Sequence, residues 1–552
     1  MAIRSPTLPA GAVLAAGRSR TIARPAVRDR ALSRPVVVWL VVLTPAVLLV
    51  HGYHPFSEDA GIYVAGVRKL VEPAFYVPDA SFVLANTHLS LFAYSLAAIL
   101  RITRMPLSYL LLLTHLASIF AFLAACLSLG RRIFFSKVAQ WSAVALAGAC
   151  FTMPVAATSL MLMDPYVTAR SFSTPLSLFA LAAAIDHRWV RTAFLLLFAG
   201  LMHPLMFVYA AAFVLLFILI DLGRAPLASF LCLLGISACG AIYLATLHTP
   251  VSAAYRQAVL SRSYLFPSQW AWFEYLGILV PLLAFALALR YLVPGVLAGK
   301  LCLAAVMLGT STTISAFLFV HPSGPYLLAR IQLLRSFHML YLVGILLLGG
   351  LLGNRLLATS RENQPIPGAR VIGFAMLAAV AMSMFLAQRY TYPLSAHIEF
   401  PRAVPLNPWE RTFVWIRANT PPGAVFAANP DLVLLQGEEG QGFRVMTERS
   451  LLGDYKDEGG VVVFPTLATQ WALERNAQAG LDRMTDAERA ARLQPFGVTW
   501  LLLSSSATTS FPCPYRNLVA QVCQLAPTDP PLSNITLRRP GPADQPSTSQ
   551  AQ

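Results

Sequence analysis

Charge is scarce in this chain. Only 12% of its 552 residues are Asp, Glu, Lys or Arg, about half of the roughly 25% usual for soluble domains. That shortage excludes an ordinary water-soluble fold. Acids are rarer than bases, 25 against 41, which leaves a net charge of +16. From Val36 to Val50 no ionisable residue occurs. The phosphate loop Gly-x-x-x-x-Gly-Lys-Ser/Thr is missing, which argues against ATP-driven transport by this chain. His-Glu-x-x-His and Cys-x-x-Cys are missing too, and with them two common zinc patterns. Cysteine is sparse. Cys126, Cys150, Cys232, Cys239 and Cys302 lie in apolar runs and read as small hydrophobes. Cys513 and Cys523 bracket a short polar stretch in the soluble tail, where an oxidising compartment would allow them to pair.

What the chain has is apolar length. Hydrophobic residues make up 57% of it, and repeated apolar runs of roughly 18 residues or more read as membrane-spanning helices. The expected spans are 36–52, 107–129, 139–157, 171–186, 192–203, 205–221, 227–246, 270–290, 301–320, 338–354 and 371–387. The run 87–100 is short and ends in Arg101 and Arg104, which suits an interfacial or re-entrant segment. The break between 192–203 and 205–221 is placed at His203-Pro204, because proline removes a helix hydrogen bond.

Basic residues set the expected orientation. Arg4, Arg18, Arg20, Arg24, Arg28, Arg30 and Arg34 precede the first span and mark a cytosolic arm, residues 1–35. With that arm inside, Arg131, Arg132, Lys137, Arg188, Arg191, Arg224, Arg290, Lys300 and Arg355 also fall inside. The arm carries no base-reading module, so nucleic acid is the weaker partner and membrane lipid the stronger.

The first outward loop is then 53–106, and the transmembrane part ends near Ala387. Residues 388–525 are polar enough for a small extracytoplasmic α/β domain. Helices are expected over Asn407–Arg417, Thr466–Ala479 and Thr485–Leu493. Strands are expected over Ala424–Ala428, Phe443–Met446 and Val498–Leu503. Residues 526–552, rich in proline, serine and glutamine, read as a disordered tail.

Candidate site residues cluster beside span ends. Glu58-Asp59 follows Ser57, a good helix cap, so the pair reads either as a dipole-stabilised helix start or as a general base. Adjacent helical residues point about 100° apart, which favours Asp59, with Tyr63 one turn along its face. Asp164 and Arg170 sit in the second outward loop before a helix start at Ser171 or Ser173, and Arg170 is expected to help hold a lipid phosphate. Arg330, Arg335 and His338 suit a phosphate, with headgroup anchoring as the plainer reading. Glu274 lies inside a tryptophan belt formed by Trp270 and Trp272. His203 has no His or Cys neighbour at metal-site spacing and reads as a hinge histidine.

Read together, several segments resemble the GT-C superfamily of polytopic glycosyltransferases. They are Pro55-Phe56-Ser57-Glu58-Asp59-Ala60-Gly61-Ile62-Tyr63, Met163-Asp164-Pro165-Tyr166, Asp186-His187-Arg188-Trp189 with Leu201-Met202-His203-Pro204, and Trp415-Ile416-Arg417-Ala418-Asn419-Thr420-Pro421-Pro422. The chain looks most like bacterial membrane proteins whose family is known only as a domain of unknown function. The resemblance implies a bacterial inner-membrane location and a polyprenyl-phosphate-linked sugar as donor. It makes Asp59, with Glu58 beside it, the catalytic carboxylate, Asp164 the second-loop acid, and Arg330 and Arg335 the lipid-phosphate holders. Asp164 stands alone where the metal-dependent branch has Asp-x-Asp or Asp-x-Glu, so a divalent metal is an open but less favoured option. Two rival readings stand beside the enzyme: a transporter or flippase of lipid-linked material, and a non-catalytic envelope scaffold. The acceptor, whether glycan, lipid or protein, is not encoded in any motif.

Overall fold

A computed structural model describes residues 33–223, 235, 251–291, 296–324, 326–357, 368–432 and 442–525. Most of the basic arm, the expected span at 227–246 apart from residue 235, and the tail from 526 lie outside the described residues. The protein is mostly helical, with a small sheet near its C-terminus.

Among the described residues six helices are long and apolar enough to cross a membrane. They are Arg34–His51, Leu107–Ile133, Pro204–Asp221, Leu297–Phe319, Tyr326–Leu356 and Ala369–Thr391. Three shorter apolar helices accompany them, Arg170–Ile185, Trp189–Met202 and Leu276–Tyr291. By length and composition the described residues therefore do not reach the expected eleven or so spans. The segment around 87–100 is a pair of helical pieces, Ala80–Leu89 and Phe92–Thr103, bent by 102°. Arg132 pairs with Asp186, and Lys300 with Asp221 at 2.7 Å, so helix ends expected to face the cytosol meet one another.

Two expected spans change shape. The one placed at 139–157 is helical only over Lys137–Ala149. Beyond it the chain runs irregularly to Arg170, because Pro154 lacks a ladder donor and the backbone bonds across itself instead. Leu162 N donates to Met153 O at 3.0 Å and Met163 N to Phe151 O at 2.8 Å. The span placed at 270–290 begins only at Leu276. Before it Glu274 closes a turn, its Oε2 accepting from Ala271 N at 2.6 Å.

The C-terminal domain is built on a five-stranded sheet of order β2-β1-β3-β5-β4. Its strands are β1 Val425–Ala428, β2 Ser450–Leu451, β3 Trp500–Ser504, β4 Tyr515–Arg516 and β5 Ala520–Gln524. β1 pairs in parallel with β2 and β3, and β5 runs antiparallel to β3 and β4. Alternate residues of a strand face opposite sides, and here both sides are covered. Val425, Ala427, Leu501 and Leu503 pack with Leu481, Ala490 and Leu493. Phe426, Ala428, Trp500 and Leu502 pack with Trp409, Phe413 and Ile416. That double burial explains why β1 and β3 read as unbroken apolar runs.

The helices expected here are present as Pro408–Asn419, Ala468–Gln478 and Asp486–Leu493. Asn407 caps the first, its side chain accepting from Trp409 N at 2.9 Å, and Thr485 with Glu488 forms a capping box on the last. Phe443–Met446, expected as a strand, is instead part of the helix Phe443–Thr447. In that form Phe443 meets both Phe413 and Phe426, and the Arg444 side chain is freed to run into a buried acidic pocket. Cys513 and Cys523 are joined as a disulfide.

The C-terminal domain is seated on the loops that follow the first helices. Tyr255, Ala258, Val259 and Phe82 form one core with Val461, Val462 and Trp471. Gly52 makes the junction possible at the end of the first helix. It has φ +75°, and a Cβ there would lie 2.6 Å from His397 O, so only glycine fits. Tyr53 then bridges in parallel to Ile398, and His54 N donates to Pro165 O at 3.0 Å. This ties the loop after the first helix to the irregular segment 150–169 and carries Asp59 toward Asp164.

Candidate functional site

A cavity of about 820 Å³ lies where the loops carrying Asp59 and Asp164, the His203-Pro204 break and the C-terminal domain meet. Of the residues singled out in the sequence, Glu58, Asp59, Asp164, Arg170, His203, Arg330 and Arg335 line it. Two do not. His338 is buried, and its Nε2 donates to Leu162 O at 2.9 Å, fastening the irregular segment from below. Glu274 is occupied by its local turn.

The acids sit in a lattice of cations. Arg170, at the start of its helix, places Nη2 3.0 Å from Asp59 Oδ2 and 3.0 Å from Asp164 Oδ2. Its Nε donates to Asp164 Oδ2 at 3.1 Å, and Thr168 Oγ1 donates to the same oxygen at 2.9 Å. Arg170 was expected to hold a lipid phosphate. It is instead committed to two carboxylates that the loops bring to it.

Lys456, from the C-terminal domain, completes the cluster. Its Nζ lies 2.8 Å from Glu58 Oε2 and 3.1 Å from Asp59 Oδ1. Glu58 and Asp59 therefore do share one partner. Glu58 lies just before the helix Asp59–Val71 at φ 51°, not on it, so the helical divergence expected of neighbours does not apply. The cap position falls on Glu58, which makes no side-chain cap bond.

Burial alone would push the Asp59 carboxyl up, but Lys456 and Arg170 more than offset it and hold it well below the usual carboxylate range. Burial likewise opposes the Lys456 ammonium, which Glu58 and Asp59 nevertheless keep protonated above its ordinary range. Burial is also the main reason the Tyr63 phenol is pushed up to about 12.

The remaining cations are arranged differently. Arg335 Nε donates to Thr158 O at 3.2 Å, and its guanidinium lies 5.8 Å from the Tyr264 ring. Arg330 donates to Val463 O. Among the described residues neither pairs with a carboxylate. Arg262, also on the cavity wall, pairs with Glu458 at 3.0 Å and stacks over Tyr455 at 3.9 Å.

Backbone strain gathers here. Of the non-glycine residues at positive φ, Glu58, Ala156, Ser159 and Gln332 all line the cavity. Such conformations cost of order 1–3 kcal/mol each and persist only where the surroundings enforce them.

Among the described residues no group of three or more His, Cys, Asp or Glu is placed to hold a metal ion. The donor set also fits a metal poorly. Asp59 and Asp164 face the guanidinium of Arg170, and Glu58 faces Lys456, so a divalent ion would have to displace a protein cation.

Sequence reasoning missed Lys456, Arg262, Tyr264 and Tyr455. For Tyr455 and Lys456 the only signal was the charged run Asp454-Tyr455-Lys456-Asp457-Glu458 within the C-terminal domain, and Arg262 and Tyr264 had none. Nothing in its spacing links it to residues 58 and 59, which the fold alone brings near.

A family model described as Domain of unknown function (DUF6798) matches residues 407–472, a stretch that includes Lys456. No curated protein matches the chain. Among solved structures, the archaeal oligosaccharyltransferase AglB from Archaeoglobus fulgidus, in complex with an inhibitory peptide and a dolichol-phosphate, is similar at 10% identity and a TM-score of 0.46. That match covers 85% of this chain and 69% of the archaeal one.

Proposed function

We propose that this chain is a membrane glycosyltransferase. It takes a sugar from a polyprenyl-phosphate donor and transfers it to an acceptor on the outer face of a bacterial inner membrane. The supporting observation is the division of charge within one cavity. Glu58, Asp59 and Asp164 are each paired with a cation, whereas Arg330 and Arg335 meet backbone oxygen and an aromatic ring but no acid among the described residues. Two guanidinium groups left in this way suit an oxyanion, and phosphate offers paired oxygens to such forks.

The apolar flank supports a lipid-borne donor. Leu89, Val208 and Leu327 line the cavity and remain 41%, 49% and 36% exposed. A polyprenyl chain would leave the cavity along them, beside the break at His203-Pro204.

In the proposed reaction an acceptor hydroxyl oxygen bonds to the anomeric carbon. The bond from that carbon to the phosphate oxygen breaks, and its electron pair leaves with the polyprenyl phosphate. Asp59 takes the acceptor proton. Arg330 and Arg335 offset the charge that grows on the departing phosphate.

One observation favours a second reading. Asp59 is already held by two cations, which suits a carboxylate that only organises charge, as in a lipid carrier or a scaffold. Release of polyprenyl phosphate from synthetic donors by protein in nanodiscs supports the enzyme. Movement of labelled lipid across liposomes without its consumption supports the carrier, and neither activity supports the scaffold.

A further inference from the structure

Lys456 belongs to the C-terminal domain, yet its ammonium ends among the acids of the first outward loop. Its backbone cannot follow it elsewhere. The helix Asp457–Val463 that begins beside it is anchored along its length. Arg444 binds both oxygens of Asp457 at 3.0 and 2.8 Å. Arg262 Nε lies 3.0 Å from Glu458, and Tyr255 donates to Val462 O at 3.1 Å. Arg330 bonds the last carbonyl, at Val463. The same short helix therefore fixes Lys456 at one end and engages Arg330 at the other.

What remains free to move is the lysine side chain. A compact ammonium on a flexible four-carbon stem changes partners readily, unlike a rigid guanidinium fork. Its present partners are weakly committed to it. Glu58 is 43% exposed and held at φ 51°, and Asp59 retains Arg170 whether or not Lys456 stays.

We propose that Lys456 is a phosphate-binding residue that exchanges partners. It is held by Glu58 and Asp59 in this structure, and it transfers to the phosphate of a lipid-borne ligand in the same cavity. The inference rests on the reading of that cavity as a phosphate-lipid site. Its consequence is a link between donor arrival and Asp59. Once Lys456 has turned to the phosphate, Asp59 keeps only Arg170 and becomes a better proton acceptor. Glu58 is then the competitor that sets how readily Lys456 leaves.

This makes two substitutions at one ion pair act in opposite directions. The probe is a polyprenyl phosphate bound to full-length protein in phosphatidylcholine nanodiscs. Lys456→Met is expected to weaken binding by about tenfold, the loss of roughly one charge-assisted contact. Glu58→Gln is expected to tighten it several-fold, because it releases Lys456. Lys456→Arg, which keeps the charge but not the compact ammonium, should recover only part of the loss.

Equal affinities for Lys456→Met and the unmutated protein, or a shift in the same direction for both substitutions, would overturn the inference while leaving the cavity's function open. Absence of any binding by the unmutated protein overturns both. Inorganic phosphate serves as the competing arm. Displacement of the probe only at a large excess assigns the site to a lipid-borne phosphate. Displacement at equal concentration assigns it to a free anion and contradicts the lipid part of the proposal.

Discussion

Asp59 and Asp164, from different loops, share one guanidinium, with Arg170 Nη2 lying 3.0 Å from Oδ2 of each. Arg170 is 7% exposed and Asp164 3%. Removing one partner of a buried pair strands the other's charge and costs about 3–5 kcal/mol. Arg170→Met is therefore expected to lower the unfolding temperature of the protein in detergent, and the double change Arg170→Met with Asp164→Asn to recover part of it. An Arg170→Met protein as stable as its parent would contradict this role.

Arg444 joins the two halves of the molecule. Its Nε lies 2.5 Å from Asp79 Oδ2 in the loop 53–106, and its Nη2 2.8 Å from Asp457 Oδ2. All three residues are buried. Arg444→Met should loosen the seat of the C-terminal domain, with faster amide hydrogen exchange over 79–85 and 457–463. Unchanged exchange in both segments would show that the apolar contacts of Phe82 and Val461 hold the domain alone.

Much of this was readable in advance, and for identifiable reasons. Spans such as Leu107–Ile133 and strands such as Trp500–Ser504 carry strong local patterns, and the caps at Asn407 and Thr485 are short-range chemistry. Glu58, Asp59, Asp164, Arg330 and Arg335 stood out because charge is rare beside apolar runs, and all five line one cavity. Lys456 did not stand out, because its partners lie in a distant loop and charge is common in its own domain. The helix over Phe443–Thr447 was misread because four residues cannot separate a period of two from one of 3.6. The irregular run after Ala149 hid within an apolar stretch, where buried side chains and backbone bonds replace the helical ladder.

The pH dependence follows from the cations around Asp59. Its carboxyl is held below the usual range against burial by Lys456 and Arg170, while Glu58 and Asp164 lie in the same cluster. A depressed pKa keeps this carboxylate ionised at low pH, so the acid limb of the proposed sugar transfer is expected to lie low. Lys456→Met removes one of the two cations, raises the Asp59 pKa and moves that limb to higher pH. Because kcat/KM reports the free enzyme and kcat the loaded one, the shift should be larger in kcat/KM if Lys456 has already turned to phosphate in the complex. A limb that stays put or moves to lower pH would contradict the assignment.

Orientation is tested separately. The basic arm is expected in the cytosol and the C-terminal domain outside, where the Cys513–Cys523 disulfide is at home. Reporter fusions at Ala12 and Ser504 should register opposite compartments. Matching compartments would refute the arrangement.

The most direct test of the central claim is polyprenyl-phosphate release by the unmutated protein and by Asp59→Asn, each in nanodiscs with a panel of polyprenyl-phosphate sugars. The substitution nearly preserves shape and removes the proton acceptor. Loss of a positioned general base typically costs about 10²–10⁴-fold in rate. The expected result is release by the unmutated protein and a fall of that size in Asp59→Asn, with similar amounts of folded protein. Full activity in Asp59→Asn, or no release by the unmutated protein with any donor, would contradict the account.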